Sequence, residues 1–434
     1  MRKIWFDQSK QTYRQIPFFR GFNDPGENMN VLVINSGSSS FKYQLIDMQD
    51  TRVLCSGLVE RIGEDMGRMV HKISPDTDNE RKIATDRQFN THAEGMRAVV
   101  AAITDAEYGV IKSKSEVHAI GHRVVLGGEE IKDSVVINEG IKKIIRNYIP
   151  LSPLHNPAGL AGIEDAENIF PGVPNIGVFD TEFHQTMPEK AYLYPLPYRA
   201  YSDYRIRRYG FHGTSHRYVT HRAAEFLDIP LDEVNLITCH LGNGCSMTAV
   251  QNGKSVDTTM GTTPLDGLMM GTRSGEIDPA IVPILVKETG RTPSEIDLLL
   301  NKQSGLKGIC GMSDMRDIHK AREAGDKMAA LALDMFVYRI RKYIGAYAAV
   351  LGRVDGIVFT AGIGENDDIV RSKVCENMGL FGIAIDEELN AMRSGKARNI
   401  SAKDARVPVL VIPTNEELEI ALTTARIVKE KKLI

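Results

Sequence analysis

The sequence predicts an α/β protein built from two related lobes. Two observations carry this. Val31–Ile34 is an apolar strand that enters a turn at Gly37 among four serines, and Phe41–Asp47 leaves that turn as a second strand. In the second half, NLITCHLGNGCSMTAVQNGKSVDTT repeats the shape around Gly242, 205 residues further on. It is a repeat of shape, not of sequence. A third apolar strand, in GIVFTAGIGEN, also ends in glycines, at Gly362 and Gly364. In α/β folds, polar glycine loops at strand ends form the edge where ligands bind.

The elements follow in order. The 91–103 stretch reads as a helix, and VHAIGHRVVLGG as a strand running into Arg123. Residues 139–147 read as a helix, and NIGVFDTEFH as a strand with Asp180 at its end. Asn252-Gly253 marks a hairpin turn between two strands. A long helical pattern covers 328–350. The C-terminal run VPVLVIPTNEELEIALTTARIVKE reads as a strand, a cap at Thr414 or Asn415, and a last helix.

The totals narrow the class. The chain has 434 residues, 42% apolar and 25% charged, as in ordinary globular proteins of two or three domains. A net charge of −3, with dispersed lysine and arginine, argues against a nucleic-acid partner. Five cysteines without a CxxC read as reduced thiols in a cytoplasmic protein. No apolar run approaches a membrane span. Residues 1–28 are polar and aromatic, and a clean strand begins only after Met29, so we read 1–28 as an extension outside the core.

Small residues expose backbone N–H groups, and successive N–H groups make a concave anion site. The serines add donors and Lys42 adds charge, so a phosphate chain is the expected guest. The turn at Gly37 is expected to be broad, since two residues cannot close it. A P-loop is excluded, because no glycine stands beside Lys42 and no helix follows. The dinucleotide fingerprint fails for want of the same helix. His212 and His216 have a zinc spacing, but the third ligand and the glutamate of HExxH are missing.

The runs NSGSSSFK, GHRVVLGG, FDTEFH, RRYGFHGTSH, HLGNGCS, GTRSGEIDP, SDMRD, GIGEN and TNEE stand in the order and spacing of the acetate kinase family. The resemblance covers the chain from Met29 onward. It implies the fold shared by sugar kinases, actin and the Hsp70 ATPase: two duplicated lobes of ribonuclease H-like topology with an active-site cleft between them. The implied lobes are 29–184 with 418–434, and 185–417, the second binding nucleotide. The implied activity is reversible phosphoryl transfer between ATP and acetate, with ATP/ADP as co-substrate and Mg²⁺, replaceable by Mn²⁺, in a homodimer.

Site residues follow from the same resemblance. It implies Asp180, His212 and Arg273 as catalytic and Arg123 as the carboxylate binder. Val125, Leu154, Phe211 and Pro264 are implied to line the methyl pocket. Nucleotide contacts are implied at Lys42, His240, Leu241, Gly242, Asn243, Gly244, Asp314, Met315, Arg316, Gly362, Ile363, Gly364, Glu365 and Asn366. Asn35 and Glu416 are implied as metal ligands.

The residue types fit the chemistry. A small carboxylic acid is already ionised near neutral pH, so the nucleophile needs no strong base. The difficulty is an anion approaching a polyanion, which calls for positive charge, alignment and dryness. A guanidinium such as Arg123 can hold a carboxylate with two bonds. Arg273, between glycines in GTRSGE, can reach a transferring phosphoryl group. By the same chemistry Asp180 is expected to position groups rather than move a proton. Rival readings are a chaperone-type ATPase module, which needs no arginine pair, a sugar kinase, which needs a general base, and a kinase for propionate or another short-chain acid.

Overall fold

The computed structural model describes residues 29–153 and 155–434; residues 1–28 and Leu154 lie outside the described residues. Two twisted sheets organise the chain. The first has eight strands: β1 (Asn30–Ser36), β2 (Ser40–Asp47), β3 (Arg52–Glu60), β4 (Gly67–Ile73), β5 (Arg81–Arg87), β6 (Ala119–Val124), β7 (Val135–Val136) and β8 (Asn175–Phe179). Their order is β5-β4-β3-β2-β1-β6-β8-β7. The second has six strands: β9 (Leu236–Leu241), β10 (Cys245–Gln251), β11 (Lys254–Thr258), β12 (Gly356–Thr360), β13 (Arg398–Asn399) and β14 (Val409–Val411). Their order is β11-β10-β9-β12-β14-β13.

The second sheet repeats β3-β2-β1-β6-β8-β7 strand for strand. In each, three antiparallel strands are followed by two parallel ones and a short antiparallel edge. The duplication expected from Gly37 and Gly242 is thus present in the topology.

Two local expectations are corrected. The β1–β2 connection is a tight hairpin rather than a broad loop: only residues 37–39 lie between the strands, and the Gly37 N–H donates to the Ser40 carbonyl at 2.7 Å. The third glycine motif is not a loop, because residues 361–366 form a short helix directly after β12. At Asn252-Gly253 both residues have positive φ, 52° and 71°, as a two-residue hairpin turn needs.

Apolar periodicity decides which helix covers which face. Helices 92–103 and 156–169 pack on one face of the first sheet, setting Met96, Val99, Ile103 and Ala166 against Leu32, Ile34 and Ile120. The 416–430 helix covers the other face with Ile420, Ala421 and Val428 against Val31, Val33 and Val178. Such fully buried aliphatic side chains contribute about 1.5–3 kcal/mol each. Gly121 lets this helix come close: a Cβ there would lie 2.5 Å from Thr424 Oγ1 and 2.7 Å from Ile420. On the second sheet, the 327–351 helix packs Leu333, Phe336 and Ile340 on one face, and the 213–227 helix packs Val219 and Ala223 on the other.

Helices 213–227 and 416–430 meet between the sheets. Arg217 Nε donates to Glu419 at 2.6 Å, Nη2 donates to Thr423 at 3.0 Å, and Nη1 pairs with Glu182. This cation of the 213–227 helix is therefore held by two carboxylates, one from the 416–430 helix and one from the 182–186 turn after β8.

Candidate active site

Three neighbouring strand ends of the first sheet each supply one polar side chain. β1 runs parallel to β6, which places Asn35 beside Arg123, and β6 runs parallel to β8, whose end delivers Asp180. The Asp180 N–H donates to the Val124 carbonyl at 2.9 Å, which fixes that residue to the adjacent strand. Arg123 Nε and Nη2 then donate to the two oxygens of Asp180 at 2.9 and 2.6 Å, and Nη1 reaches Asn35 Oδ1 at 3.5 Å. The fork expected to hold a ligand carboxylate is therefore held by the protein's own.

Glu416 joins from the opposite direction. The chain leaves β14, is capped by the Asn415 side chain accepting from the Leu418 N–H, and starts the 416–430 helix with Glu416. Its carboxylate lies 3.9 Å from Arg123 Nε. Burial pushes its pKa up to about 7, against the pull of Arg123 and with the help of Asp180. Burial works against the Arg123 charge too, but Asp180 and Glu416 outweigh it and hold the guanidinium protonated. Lys42 is paired across the hairpin with Asn35, so their side chains share a face, and its charge is among those acting on Glu416.

The second sheet presents a different set. His212 precedes the 213–227 helix with a left-handed backbone, φ 57°. The next residue ties it to the first cluster, since the Gly213 N–H donates to the Asp180 carbonyl at 2.8 Å. The turn at 242–244 joins β9 to β10, with the Gly242 N–H bonded to the Gly244 carbonyl at 3.1 Å. A Cβ on Gly244 would meet Arg273 Nη1 at 3.4 Å and the His212 ring at 3.5 Å, so both cationic-type side chains converge on that glycine. The described partners of Arg273 Nη1 are neutral: the Pro264 carbonyl at 3.4 Å and the Met270 sulfur at 3.8 Å. Burial lowers its pKa from the ordinary arginine value. A half-desolvated guanidinium with neutral neighbours favours an incoming anion.

His212 stacks on His240 at 4.1 Å between centroids. Burial, then the neighbouring His240 and His216, holds His212 far below the usual imidazole range, so it is a neutral donor or acceptor near neutral pH.

The remaining expected residues divide. Phe211 is buried in the apolar core of the second sheet, and Val125, just beyond β6, packs against the same core. Pro264 touches Arg273 through its carbonyl. Leu154 lies outside the described residues. Asp314 caps the 315–323 helix begun by Met315 and pairs with the exposed Arg316 at 2.6 Å. Gly362, Ile363, Gly364 and Asn366 lie on the 361–366 helix. Glu365 on that helix accepts from the Ala361 N–H at 2.8 Å and the Thr414 N–H at 3.0 Å, so it ties the ends of β12 and β14 together. Leu241 is buried at the end of β9 and Asn243 sits in the turn, its carbonyl accepting from the Gly271 N–H at 3.0 Å.

The sequence reading missed two groups. His155 precedes the 156–169 helix, and its pKa is lowered first by burial and then by Arg123, with Arg273 also acting on it. Ser246 sits under His212, with its Oγ 2.9 Å from Nδ1. A lone serine inside an apolar strand carries no sequence signal. Among the described residues there is no group of three or more His, Cys, Asp or Glu that could hold a metal ion.

The acetokinase family profile matches residues 30–422. The chain belongs to the acetokinase family. Acetokinases are phosphotransferases with a carboxyl group as acceptor, and this chain is an enzyme of that class. A relative from Oleidesulfovibrio alaskensis, named acetate kinase, is 70% identical over 401 residues, covering 92% of this chain and all of the relative. The crystal structure of the Porphyromonas gingivalis acetate kinase matches with a TM-score of 0.88 at 44% identity, over 92% of this chain and 100% of that one. A propionate kinase from Francisella tularensis matches with a TM-score of 0.85 at 41% identity, over 92% and 99%.

Proposed function

We propose that the protein transfers the γ-phosphoryl group of ATP directly to acetate, reversibly, giving acetyl phosphate and ADP. The observation that carries this reading is the state of the buried carboxylate at the strand ends: both Asp180 oxygens are committed to Arg123, which suits it to hold a guanidinium rather than to deprotonate a hydroxyl. A carboxylate nucleophile needs no general base, whereas a sugar hydroxyl would.

In this reading Asp180 orients Arg123, whose remaining N–H groups receive the acceptor carboxylate. Arg273 and His212 face the transferring phosphoryl group across Gly244, where charge on the equatorial oxygens is greatest. The turn at 242–244, with Lys42, His240, the 314–316 cap and the 361–366 helix, holds the nucleotide. Val125, Phe211 and Pro264 surround the methyl group.

A divalent cation fits beside them. Asn35 and Glu416 offer oxygen donors, and burial destabilises the Glu416 anion, which a bound cation would relieve. When bound, Mg²⁺ or Mn²⁺ supplies charge neutralisation at the nucleotide phosphates.

The 29–184 and 418–434 segments form one lobe and 185–417 the other, with the site between them. The protein is proposed to be a cytoplasmic homodimer. The 281–289 helix supports a self-association face, because none of its apolar residues is buried. Among the described residues no helix is long and apolar enough to cross a membrane.

Propionate is the second reading, favoured by the match to a propionate kinase. The test is a panel of short acids with ATP, Mg²⁺ and hydroxylamine. Acetate should give the most hydroxamate, with propionate weaker. ATP turnover with hexoses and no hydroxamate from any acid would overturn the proposal.

A further inference from the structure

Behind His212 lies a chain of buried groups. His212 Nδ1 is 2.9 Å from Ser246 Oγ, Ser246 Oγ is 2.7 Å from His216 Nε2, and His216 Nδ1 is 2.7 Å from Thr238 Oγ1. Ser246, His216 and Thr238 are fully buried. We propose that this Thr238–His216–Ser246 chain is a proton-orienting relay that fixes His212 as the tautomer with its proton on Nε2, the nitrogen facing the phosphoryl position.

Two polarities satisfy the distances. In the first, the Thr238 hydroxyl donates to His216 Nδ1, His216 Nε2–H donates to Ser246, and the Ser246 hydroxyl donates to His212 Nδ1. The proton of His212 then sits on Nε2. In the second every bond is reversed, and His212 presents a bare lone pair to the cleft. Thr238 decides between them. Among the described residues its hydroxyl has no acceptor other than His216. The reversed chain would leave that buried O–H without a partner, which is costly, whereas the first pairs both buried hydroxyls and His216 and leaves the His212 Nε2–H for the phosphoryl position. The lone pair of the reversed chain would also face the oxygens of a phosphoryl group, where the N–H of the first would donate.

Geometry braces the same end. His184 Nε2–H donates to the Phe211 carbonyl at 3.0 Å, and its Nδ1 accepts from the Ser255 hydroxyl at 2.9 Å. That bond holds the residue before His212 and so supports its left-handed backbone, φ 57°. His212 Nε2 lies 3.6 Å from the Cβ position of Gly244, on the side where Arg273 Nη1 arrives at 3.4 Å.

Ser246 is a positioning residue, acting through His212. The inference rests on the reading of His212 as a donor to the phosphoryl group, and the experiment separates the two. Ring-¹⁵N histidine-labelled enzyme at neutral pH should show His212 with a pyridine-type Nδ1 and a protonated Nε2. A protonated Nδ1 would overturn the relay whatever the kinetics. Ser246→Ala should lower kcat about 10–100-fold with the KM values for ATP and acetate within about threefold, as for other partners that orient a reacting imidazole. Thr238→Val should lower kcat in the same direction by releasing the polarity, and it serves if Ser246→Ala does not fold. His212→Ala and the His212→Ala, Ser246→Ala double variant should be equally slow, because the serine has nothing left to orient. A slow His212→Ala beside wild-type kcat in both Ser246→Ala and Thr238→Val would sink the relay and leave the role of His212 intact. Wild-type kcat in His212→Ala would sink that role itself.

Discussion

Arg123 commits Nε and Nη2 to the two oxygens of Asp180, at 2.9 and 2.6 Å, across 57 residues of sequence. The guanidinium is thereby held in one rotamer by a fixed anion, which takes two of its five N–H donors. The Asp180 side chain is 2% exposed and that of Arg123 23%, so the pair leaves part of the arginine accessible.

Replacing Asp180 by asparagine keeps the shape and removes the charge. The expected result is a kcat lower by about 10–100-fold and a raised KM for acetate. The pH profile of kcat should keep its shape, because Asp180 is not the group moving a proton. Loss of an ionisation from that profile would assign proton transfer to Asp180.

The two arginines should separate kinetically. Arg273→Ala should act mainly on kcat, by about 3–4 kcal/mol, since its partner charge is fullest in the transition state. Arg123→Ala should raise the KM for the acid as well. Equal effects of both confined to KM would contradict the division of labour.

Glu416→Ala should raise the Mg²⁺ concentration needed for half-maximal rate and lower kcat. An unchanged Mg²⁺ titration would remove Glu416 from the metal site.

Buried histidines predict a loss of stability in acid. Burial lowers the pKa of His122 to about 4 and of His184 to about 4. The unfolded imidazole takes a proton near 6.5, but the folded one does not until near 4, so stability falls as pH drops through that window. Each such group costs up to about 1.4 kcal/mol per pH unit there. Melting temperature should therefore fall between pH 6.5 and 4.5, and less steeply in His122→Gln. A flat profile over that range would contradict the burial argument.

Val125→Ala should improve kcat/KM for propionate relative to acetate, because one methylene in an apolar pocket is worth about 1–3 kcal/mol. An unmoved ratio would place Val125 outside the acyl pocket.

The strand ends were legible because each is a continuous apolar run followed by glycine, and from them the duplicated topology. Other features depend on contacts that no local pattern encodes. The 361–366 helix begins AGIGEN, a poor helix former, and is held by Glu365 accepting the Ala361 N–H. The hairpin at Gly37 closes tightly through a backbone bond from the Gly37 N–H to the Ser40 carbonyl, a contact that the run of small residues does not announce. The pairing of Arg123 with Asp180 was not legible, since Asp180 reaches it only through the β6–β8 register. Ser246 was invisible for the same reason.

Direct transfer is the central claim: both oxygens of Asp180 are bonded to Arg123, and Glu416 lies 3.9 Å from the same guanidinium, so neither is presented as a free nucleophile toward phosphorus. The measurement is the stereochemical course at phosphorus, with ATP made chiral at the γ-position by oxygen isotopes and acetate as acceptor. A single in-line displacement predicts inversion in the acetyl phosphate formed. Retention would mean two displacements through a phosphorylated residue, and would contradict the account.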